Sequence, residues 1–347
     1  MRLPPPRMAG LCGGVAALLL LAWALLLPGG GRDATAGWLV GLVFWLGPSL
    51  GALVLLALHA LTGGRWGDAL RPVLVPAVAG LPLFVPLALP LLVGAGALYP
   101  WAGGADAVPA DLTQIYLNRS GFALRGLVAL CGWALAGGLL LRLRPGGMRE
   151  VAAALALVFH LAATTLLGFD WMQSLQASFF STAFGLHWLL LQVLAALAWA
   201  CLFRPASGQT SSDVAGLLMA TCLGALYLGF VQFLVVWYGD LPAKVAWYLP
   251  RQGGGWIWLG GLSLLLAGVL PALALLSGQV RRHPGALAVL GGCILAGIAA
   301  HWVWTLAPAI GAAAAMAALP GLLAVGGFWF GAASLLVARR HPAAVPP

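Results

Sequence analysis

The stretch GFDWMQSLQASFFSTAFGLH, from Gly168 to His187, is a short polar and aromatic bridge between two long apolar runs. Each of these runs is long enough to cross a membrane as a helix, which takes about 20 residues. Polar groups are costly in hydrocarbon, so this stretch, called the bridge below, predicts the surface turn between two membrane helices. Its polar side chains are Asp170, Gln173, Ser174, Gln176, Ser178, Ser181 and Thr182.

The composition extends this prediction to the whole chain of 347 residues. Hydrophobic residues make up 62% and charged residues 7%, whereas soluble proteins have about 25% charged residues. The apolar runs are continuous rather than alternating, which indicates helices. The first run is too long for a signal peptide and lacks a convincing cleavage site, so we expect it to span the membrane. The expected fold is an all-α transmembrane bundle, a single integral membrane domain over residues 1–347, with ten spans near 8–28, 38–62, 73–98, 121–142, 150–170, 178–203, 213–238, 255–277, 285–306 and 315–338.

The basic residues predict the orientation of the helices. If the N-terminus is inside, the opposite side holds only Arg32, Arg119, Lys244 and Arg251. This asymmetry follows the positive-inside bias and predicts both termini in the cytoplasm. It also accounts for the net charge of +9 without a nucleic-acid partner; membrane lipid is the expected surrounding. The cytoplasmic basic residues would be Arg2, Arg7, Arg65, Arg71, Arg142, Arg144, Arg149, Arg204, Arg281, Arg282, Arg339 and Arg340.

The cysteines give no sign of a metal centre. They fall singly in separate spans, with no C-x-x-C pair and no haem-attachment motif. Iron–sulfur clusters and structural zinc need clustered ligands. We therefore expect no metal ligands and no covalently bound cofactor in this chain. The cysteines are Cys12, Cys131, Cys201, Cys222 and Cys293.

Polar residues within the predicted spans are the candidates for chemistry. His160 and His187 lie at similar depth in two adjacent spans, so their imidazoles could approach each other. Arg125 needs an anionic partner, and both Asp170 and Asp240 lie at its level. Each of these groups also has a purely structural interpretation, as a hydrogen-bonded or ion-paired group within the bundle.

Two segments resemble one family of membrane proteins. The bridge contains D-W-x-x-S-L at Asp170–Leu175 and F-S-T-x-x-G at Phe180–Gly185. The segment Gln232–Pro242 reads Q-x-x-x-x-W-Y-G-x-x-P. With weaker matches at 61–67, 98–102 and 116–125, the chain resembles the NrfD-like, polysulfide-reductase-type membrane subunits. Within that family it is most similar to the ActF-like subunit of bacterial alternative complex III.

The resemblance implies a helical subunit of a respiratory quinol:electron-acceptor oxidoreductase in the bacterial inner membrane, with an additional pair of spans beyond the NrfD-like bundle. Its implied partners are a sister NrfD-like quinol-binding subunit and periplasmic iron–sulfur and multihaem cytochrome subunits. It further implies a proton path through polar membrane residues, for which the candidates are His160, Thr164, Asp170 and His187. The implied outer rim, facing quinone or partner subunits, comprises Arg125, Trp171, Gln232, Trp237, Tyr238, Asp240 and His301.

The bridge departs from the family pattern at one place. Gln176, Ala177, Ser178 and Phe179 replace an acid, a proline, a histidine and an aromatic residue. A quinol-oxidising site needs a proton acceptor near the headgroup. We therefore expect a subunit that is not catalytic alone and that supports assembly and proton conduction.

Two other classes of function stay open. The third predicted span contains Pro76, Pro82, Pro86 and Pro90, and proline breaks or kinks a helix. A broken span can line the substrate path of a transporter or permease. Alternatively, the chain could be a purely structural membrane anchor whose polar groups only pair with one another.

Overall fold

The computed structural model describes residues 30–103, 115–176 and 179–340 of the chain. These described residues are almost entirely helical and contain no β-strand. Ten longer helices follow one another along the chain: α1 (Gly30–Thr62), α2 (Arg65–Ala79), α3 (Arg119–Arg142), α4 (Gly147–Leu167), α5 (Phe184–Leu202), α6 (Gly208–Gly239), α7 (Pro242–Gln252), α8 (Trp256–Leu264), α9 (Pro284–Leu306) and α10 (Ala312–Arg340).

Within the described ranges, nine helical segments are long and apolar enough to cross a membrane. They correspond in order to nine of the ten predicted spans and confirm an all-helical, multi-pass membrane protein. The remaining predicted span, 8–28, and the two termini lie outside the described residues, so the orientation stays a prediction. The nine segments are Gly31–Thr62, Arg65–Val93, Arg119–Arg142, Gly147–Gln176, Phe184–Leu202, Gly208–Gly239, Trp256–Ala274, Pro284–Ala309 and Ala312–Gly331.

Helix α1 is the centre of the bundle, and most of its apolar side chains are buried. It packs against α10 on one side and α5 on another. Small residues permit the closest approach, because a Cβ at Gly41 would overlap the backbone of Gly321, and one at Gly51 that of Gln192. The indole N–H of Trp45 donates to the Leu322 carbonyl oxygen at 2.8 Å across the interface between α1 and α10.

The proline-rich span is broken, as its sequence predicts. After α2 ends at Ala79, the chain continues as short helical turns at Leu81–Leu83, Phe84–Leu87, Leu89–Val93 and Ala95–Leu98. Proline cannot donate a backbone hydrogen bond, so an interrupted helix needs other donors for its carbonyl oxygens. One is the indole of Trp38 on α1, which donates to the Leu87 carbonyl oxygen at 2.6 Å.

The second half of the bundle leaves a gap between α6 and α8. Helix α8 packs along α9, and it continues through a π-helical turn at Leu265–Val269 into Leu270–Ala274. Helix α6 contacts this span mainly at those two later segments. The short helix α7 joins the other ends of α6 and α8, on the membrane face where the bridge lies. The gap is therefore widest near the bridge.

Replacing Gly41 with alanine tests the packing of α1 on α10. The added methyl group has no room, and overpacking of this kind costs about 1–3 kcal/mol of unfolding free energy. We expect a lower midpoint of thermal unfolding for the detergent-solubilised Gly41→Ala protein. The control is Gly138→Ala on α3, where a Cβ meets open space and alanine favours the helix. Equal midpoints for the two variants would contradict the close approach.

Candidate ligand cavity beside the bridge

The bridge begins with an irregular helical end that holds a buried ion pair. Gly168–Met172 forms a π-helical turn, and Gln173–Gln176 follows as a 3₁₀ turn. Asp170 is fully buried and binds Arg125 of α3 with both carboxylate oxygens, at 2.6 Å from Nε and 3.1 Å from the second guanidinium nitrogen. Of the two acids that the sequence offered, Asp170 is thus the partner of Arg125.

Tyrosines complete this ion-pair cluster. Arg125 also donates to the Tyr116 carbonyl oxygen at 3.0 Å and lies 3.9 Å above the Tyr116 ring. Burial and the nearby Asp170 charge raise the pKa of Tyr116 to about 12, so its hydroxyl stays protonated at neutral pH. The Tyr99 hydroxyl donates to the Trp171 carbonyl oxygen at 2.9 Å. These contacts anchor the first half of the bridge to the helices beside it.

The second half of the bridge connects by hydrogen bonds to α6 and α5. The Ser181 N–H donates to Gln173 Oε1 at 2.7 Å, and Gln173 Nε2 donates back to the Ser181 carbonyl oxygen at 3.2 Å. The Ser181 hydroxyl is 3.2 Å from Gln232 Oε1, and Gln232 Nε2 is 3.1 Å from His187 Nδ1. A continuous polar chain therefore runs from the bridge to His187.

This chain fixes the tautomer of His187. Gln232 Nε2 also approaches the Leu228 carbonyl oxygen at 3.4 Å, which can only accept, so the amide nitrogen occupies that position. An amide nitrogen only donates, so His187 Nδ1 is the acceptor and the neutral ring carries its proton on Nε2. That edge of the ring faces Gly229, which has no side chain to cover it. Within the described residues, His187 Nε2–H thus has no hydrogen-bond partner.

A cavity of about 760 Å³ lies next to this histidine. It occupies the gap between α6 and α8, with α5 and α9 behind it and α7 across its end. Phe230 and Phe233 on α6 and Ile257 on α8 are exposed on the outer surface and flank it. At the far end the Cys222 thiol contacts the Gly268 carbonyl oxygen at 3.2 Å and closes the gap. The walls are mostly apolar; the polar and heteroaromatic or phenolic side chains toward the bridge include His187, Gln232, Trp247, Tyr248, Arg251, Gln252, His301, Trp304 and Thr305.

Two imidazoles meet in the cavity wall. The rings of His187 and His301 lie edge to face with their centres 5.4 Å apart. His301 Nε2 is 3.4 Å from the Thr305 hydroxyl. The indole of Trp304 lies 6.1 Å from the His301 ring. The cavity therefore offers imidazole donors and acceptors beside aromatic surfaces.

Arg251 of α7 lies at the bridge end of the cavity and is only 2% exposed. Its guanidinium donates to Gln176 Oε1 at 2.9 Å, to the Thr305 carbonyl oxygen at 2.7 Å and to the Trp247 carbonyl oxygen, and it stacks on the Trp247 ring. Burial lowers the pKa of Arg251 to about 9, so the group stays charged at neutral pH. Burial raises the pKa of Tyr248 to about 12, which keeps its hydroxyl a donor.

His160 belongs to a different group, on the other side of α5. It is buried against Trp133 of α3, with ring centres 5.8 Å apart, and it faces Gln192 of α5. The His160 ring and the Gln192 amide are close enough to interact, but neither these groups nor the Thr164 hydroxyl makes a hydrogen bond of regular geometry within the described residues. Buried polar atoms of this kind usually bind ordered water.

The structure thus divides the predicted site residues into separate groups. His187, Gln232 and His301 line the cavity, whereas His160 and Thr164 form the second buried group. Arg125, Asp170 and Trp171 belong to the ion-pair cluster of the bridge. Trp237 and Tyr238 are exposed beside the end of α6, and Asp240 ends that helix in a left-handed conformation with φ 42°.

Sequence reasoning missed Arg251, Tyr248 and Gln192 as site residues. Gln192 had a usable signal, because it is an uncharged polar residue within a predicted span. Arg251 follows a tryptophan and tyrosine in the loop before the eighth predicted span, and its position there suggested only a surface charge. No group of three metal-ligating side chains occurs among the described residues.

Comparisons with known proteins do not identify the chain. No protein-family model matches the sequence, and no curated protein matches it. The function must therefore follow from the residues that line the cavity and from those of the two neighbouring polar groups.

Breaking the Arg125–Asp170 pair should destabilise the protein strongly. Removing one partner of a buried pair costs about 3–5 kcal/mol, because the other charge is left unpaired. We expect Arg125→Met to lower the midpoint of thermal unfolding well below that of the parent protein. The control is Arg65→Met, which breaks a solvent-exposed pair with Asp213 at 3.4 Å, worth at most about 1 kcal/mol. A small effect for Arg125→Met would contradict a structural role for the pair.

Proposed function

We propose that this chain is an integral membrane subunit that binds a quinone or quinol and serves a respiratory quinol:electron-acceptor oxidoreductase. The cavity beside His187 and His301 is the observation that carries the proposal. It combines a mostly apolar, aromatic volume with a few polar groups at one end, which is typical of small-molecule sites. A flat ring with two oxygens and an apolar tail fits that distribution of surface.

The polar side chains suit the oxygens of such a ring. His187 presents an Nε2–H donor, held in that tautomer by Gln232 and Ser181. Tyr248 supplies a hydroxyl, and the neutral His301 ring supplies a nitrogen that can accept a proton. The histidine that the bridge lacks by comparison with its family thus has counterparts on α5 and α9. This supports a role in binding and in handling protons.

Electron transfer would need redox centres on partner subunits. The motif resemblance suggests a sister NrfD-like subunit and periplasmic iron–sulfur and multihaem proteins as those partners. The exposed aromatic side chains of Trp237 and Tyr238, next to the cavity, suit a contact with a neighbouring subunit or with lipid. The chain itself would contribute the binding cavity and structural support for assembly.

A transporter of the kind that the proline-rich span suggested receives no support from the cavity. The lining comes from α5 to α9 and from Phe179 in the bridge, and none of it comes from the broken turns between Leu81 and Leu98. Those turns pack against α1 and α3 instead. A purely structural anchor would not require an open volume lined by two imidazoles.

Proton conduction is a second proposed role, carried by the group around His160. Five polar atoms of His160, Thr164 and Gln192 are buried without a hydrogen bond among the described residues. An unsatisfied buried polar group costs about 1–3 kcal/mol, which favours bound water at this place. Water between an imidazole, a hydroxyl and an amide would form part of a proton path through the α4–α5 half of the bundle.

Quinone binding can be tested with the purified chain in detergent. A short-chain ubiquinone or menaquinone analogue should quench the fluorescence of Trp247 and Trp304 as it binds. We expect His187→Gln and His301→Gln each to weaken binding about tenfold, or about 1.4 kcal/mol, because glutamine lacks the planar ring and places its polar atoms differently. The matched control is His160→Gln, which lies outside the cavity. Unchanged affinity in both cavity variants would overturn the assignment.

The proton path can be tested by replacing Thr164 with valine, which keeps the shape and removes the hydroxyl. Proton flux into proteoliposomes, followed with an enclosed pH-sensitive dye under an imposed potential, should fall several-fold. The control is Thr165→Val on the same helix, whose hydroxyl is satisfied by the Leu161 carbonyl oxygen at 2.8 Å. Equal flux in the Thr164 variant and the parent would rule out this path.

A further inference from the structure

Arg251 carries a charge that its neighbours do not neutralise. Its three hydrogen-bond partners are uncharged oxygens, on the Gln176 side chain and on the Trp247 and Thr305 backbone. The Nε atom is buried and has no partner within the described residues. Arg251 is one of the residues that line the cavity, so its uncompensated charge acts on a molecule inside it.

The described carboxylates do not supply the missing charge. Asp170 is bound to Arg125, Asp213 lies near Arg65, and Asp68 lies near His59. The other described carboxylates, Asp33, Glu150 and Asp240, form no ion pair within the described residues. In the part of the chain that the structure describes, Arg251 forms no ion pair. A buried charge without a counter-charge is strongly unfavourable. Stacking on Trp247, with the guanidinium carbon 3.5 Å from the ring centre, offsets only part of that cost.

We propose that the cavity contains an oxyanion subsite at Arg251, which selects apolar ligands that carry one ionised oxygen. This assignment rests on the proposed function, and within that function the ligand class is a quinone with an acidic ring hydroxyl. The same chemistry is shared by a fatty-acid carboxylate, so the test includes both. A guanidinium charge that no carboxylate neutralises attracts an ionised oxygen.

Gln176 sets the charge of this subsite. Its side-chain oxygen is already 2.9 Å from the guanidinium, so a glutamate at this position would form a salt bridge without a change of shape. That salt bridge would neutralise Arg251 and remove the attraction for an anionic ligand. Gln176 is thus a specificity-determining residue, although it is absent from the cavity lining.

The experiment compares two naphthoquinone probes in the full-length protein. The first is a 3-alkyl-2-hydroxy-1,4-naphthoquinone, used at a pH where its hydroxyl is ionised, and the second is its 2-methoxy ether. We expect the hydroxy probe to bind the parent protein at least about tenfold more tightly than the ether. In Gln176→Glu this preference should disappear while the affinity for the ether is retained.

A second variant, Arg251→Lys, and a third probe, dodecanoate, distinguish the possible outcomes. Arg251→Lys retains the charge and should retain a preference for the hydroxy probe, which separates loss of charge from misfolding. Equal affinity of the parent for both naphthoquinones, or a preference that survives in Gln176→Glu, overturns the oxyanion subsite. Binding of dodecanoate alone, lost in Gln176→Glu, supports the subsite and overturns the quinone function. No binding of any probe to the parent overturns both proposals.

Discussion

Hydrocarbon cannot solvate polar groups, and this constraint organises the structure around the bridge. A buried carboxylate at this depth needs a cation, and Asp170 obtains one from Arg125 on a different helix. The pair ties α3 to the end of α4 where the helix loses its regular hydrogen bonding. Gln173 and Ser181 then satisfy each other across the turn. The irregular backbone between α4 and α5 is stable because these side chains replace the missing helical partners.

The same constraint separates the polar groups of the interior into two places. His160 and Gln192 face each other between α4 and α5, whereas His187 turns toward α6 and the cavity. His160 lies seven residues before the end of α4, whereas His187 lies three residues after the start of α5, and the two belong to separate polar groups. Because the two histidines belong to separate groups, two separate roles fit the structure better than one path through both. The proposed role of the His160 group concerns bound water and protons, and the proposed role of the His187 group concerns a ligand in the cavity.

The neutral side chain of Gln176 in the bridge has a structural context that only the tertiary structure shows. Gln176 lies against Arg251, a residue 75 positions later in the chain. A neutral amide at this position does not neutralise the charge of Arg251, a residue that lines the cavity. In the proposed subsite, the residue at position 176 would therefore control the electrostatics around Arg251.

Composition and the lengths of the apolar runs determined that this is an all-helical, multi-pass membrane protein, because hydrocarbon thickness dictates helix length. The prolines also predicted the break after α2. The pairing of Arg125 with Asp170 rather than Asp240, and the separation of His160 from His187, depended on how the helices pack. Only the tertiary structure could decide these contacts, since sequence gives the depth of a residue but not the side of the helix that faces each neighbour. The cavity also depends on helix packing, because α6 and α8 lie apart and α7 lies across the end of the gap between them.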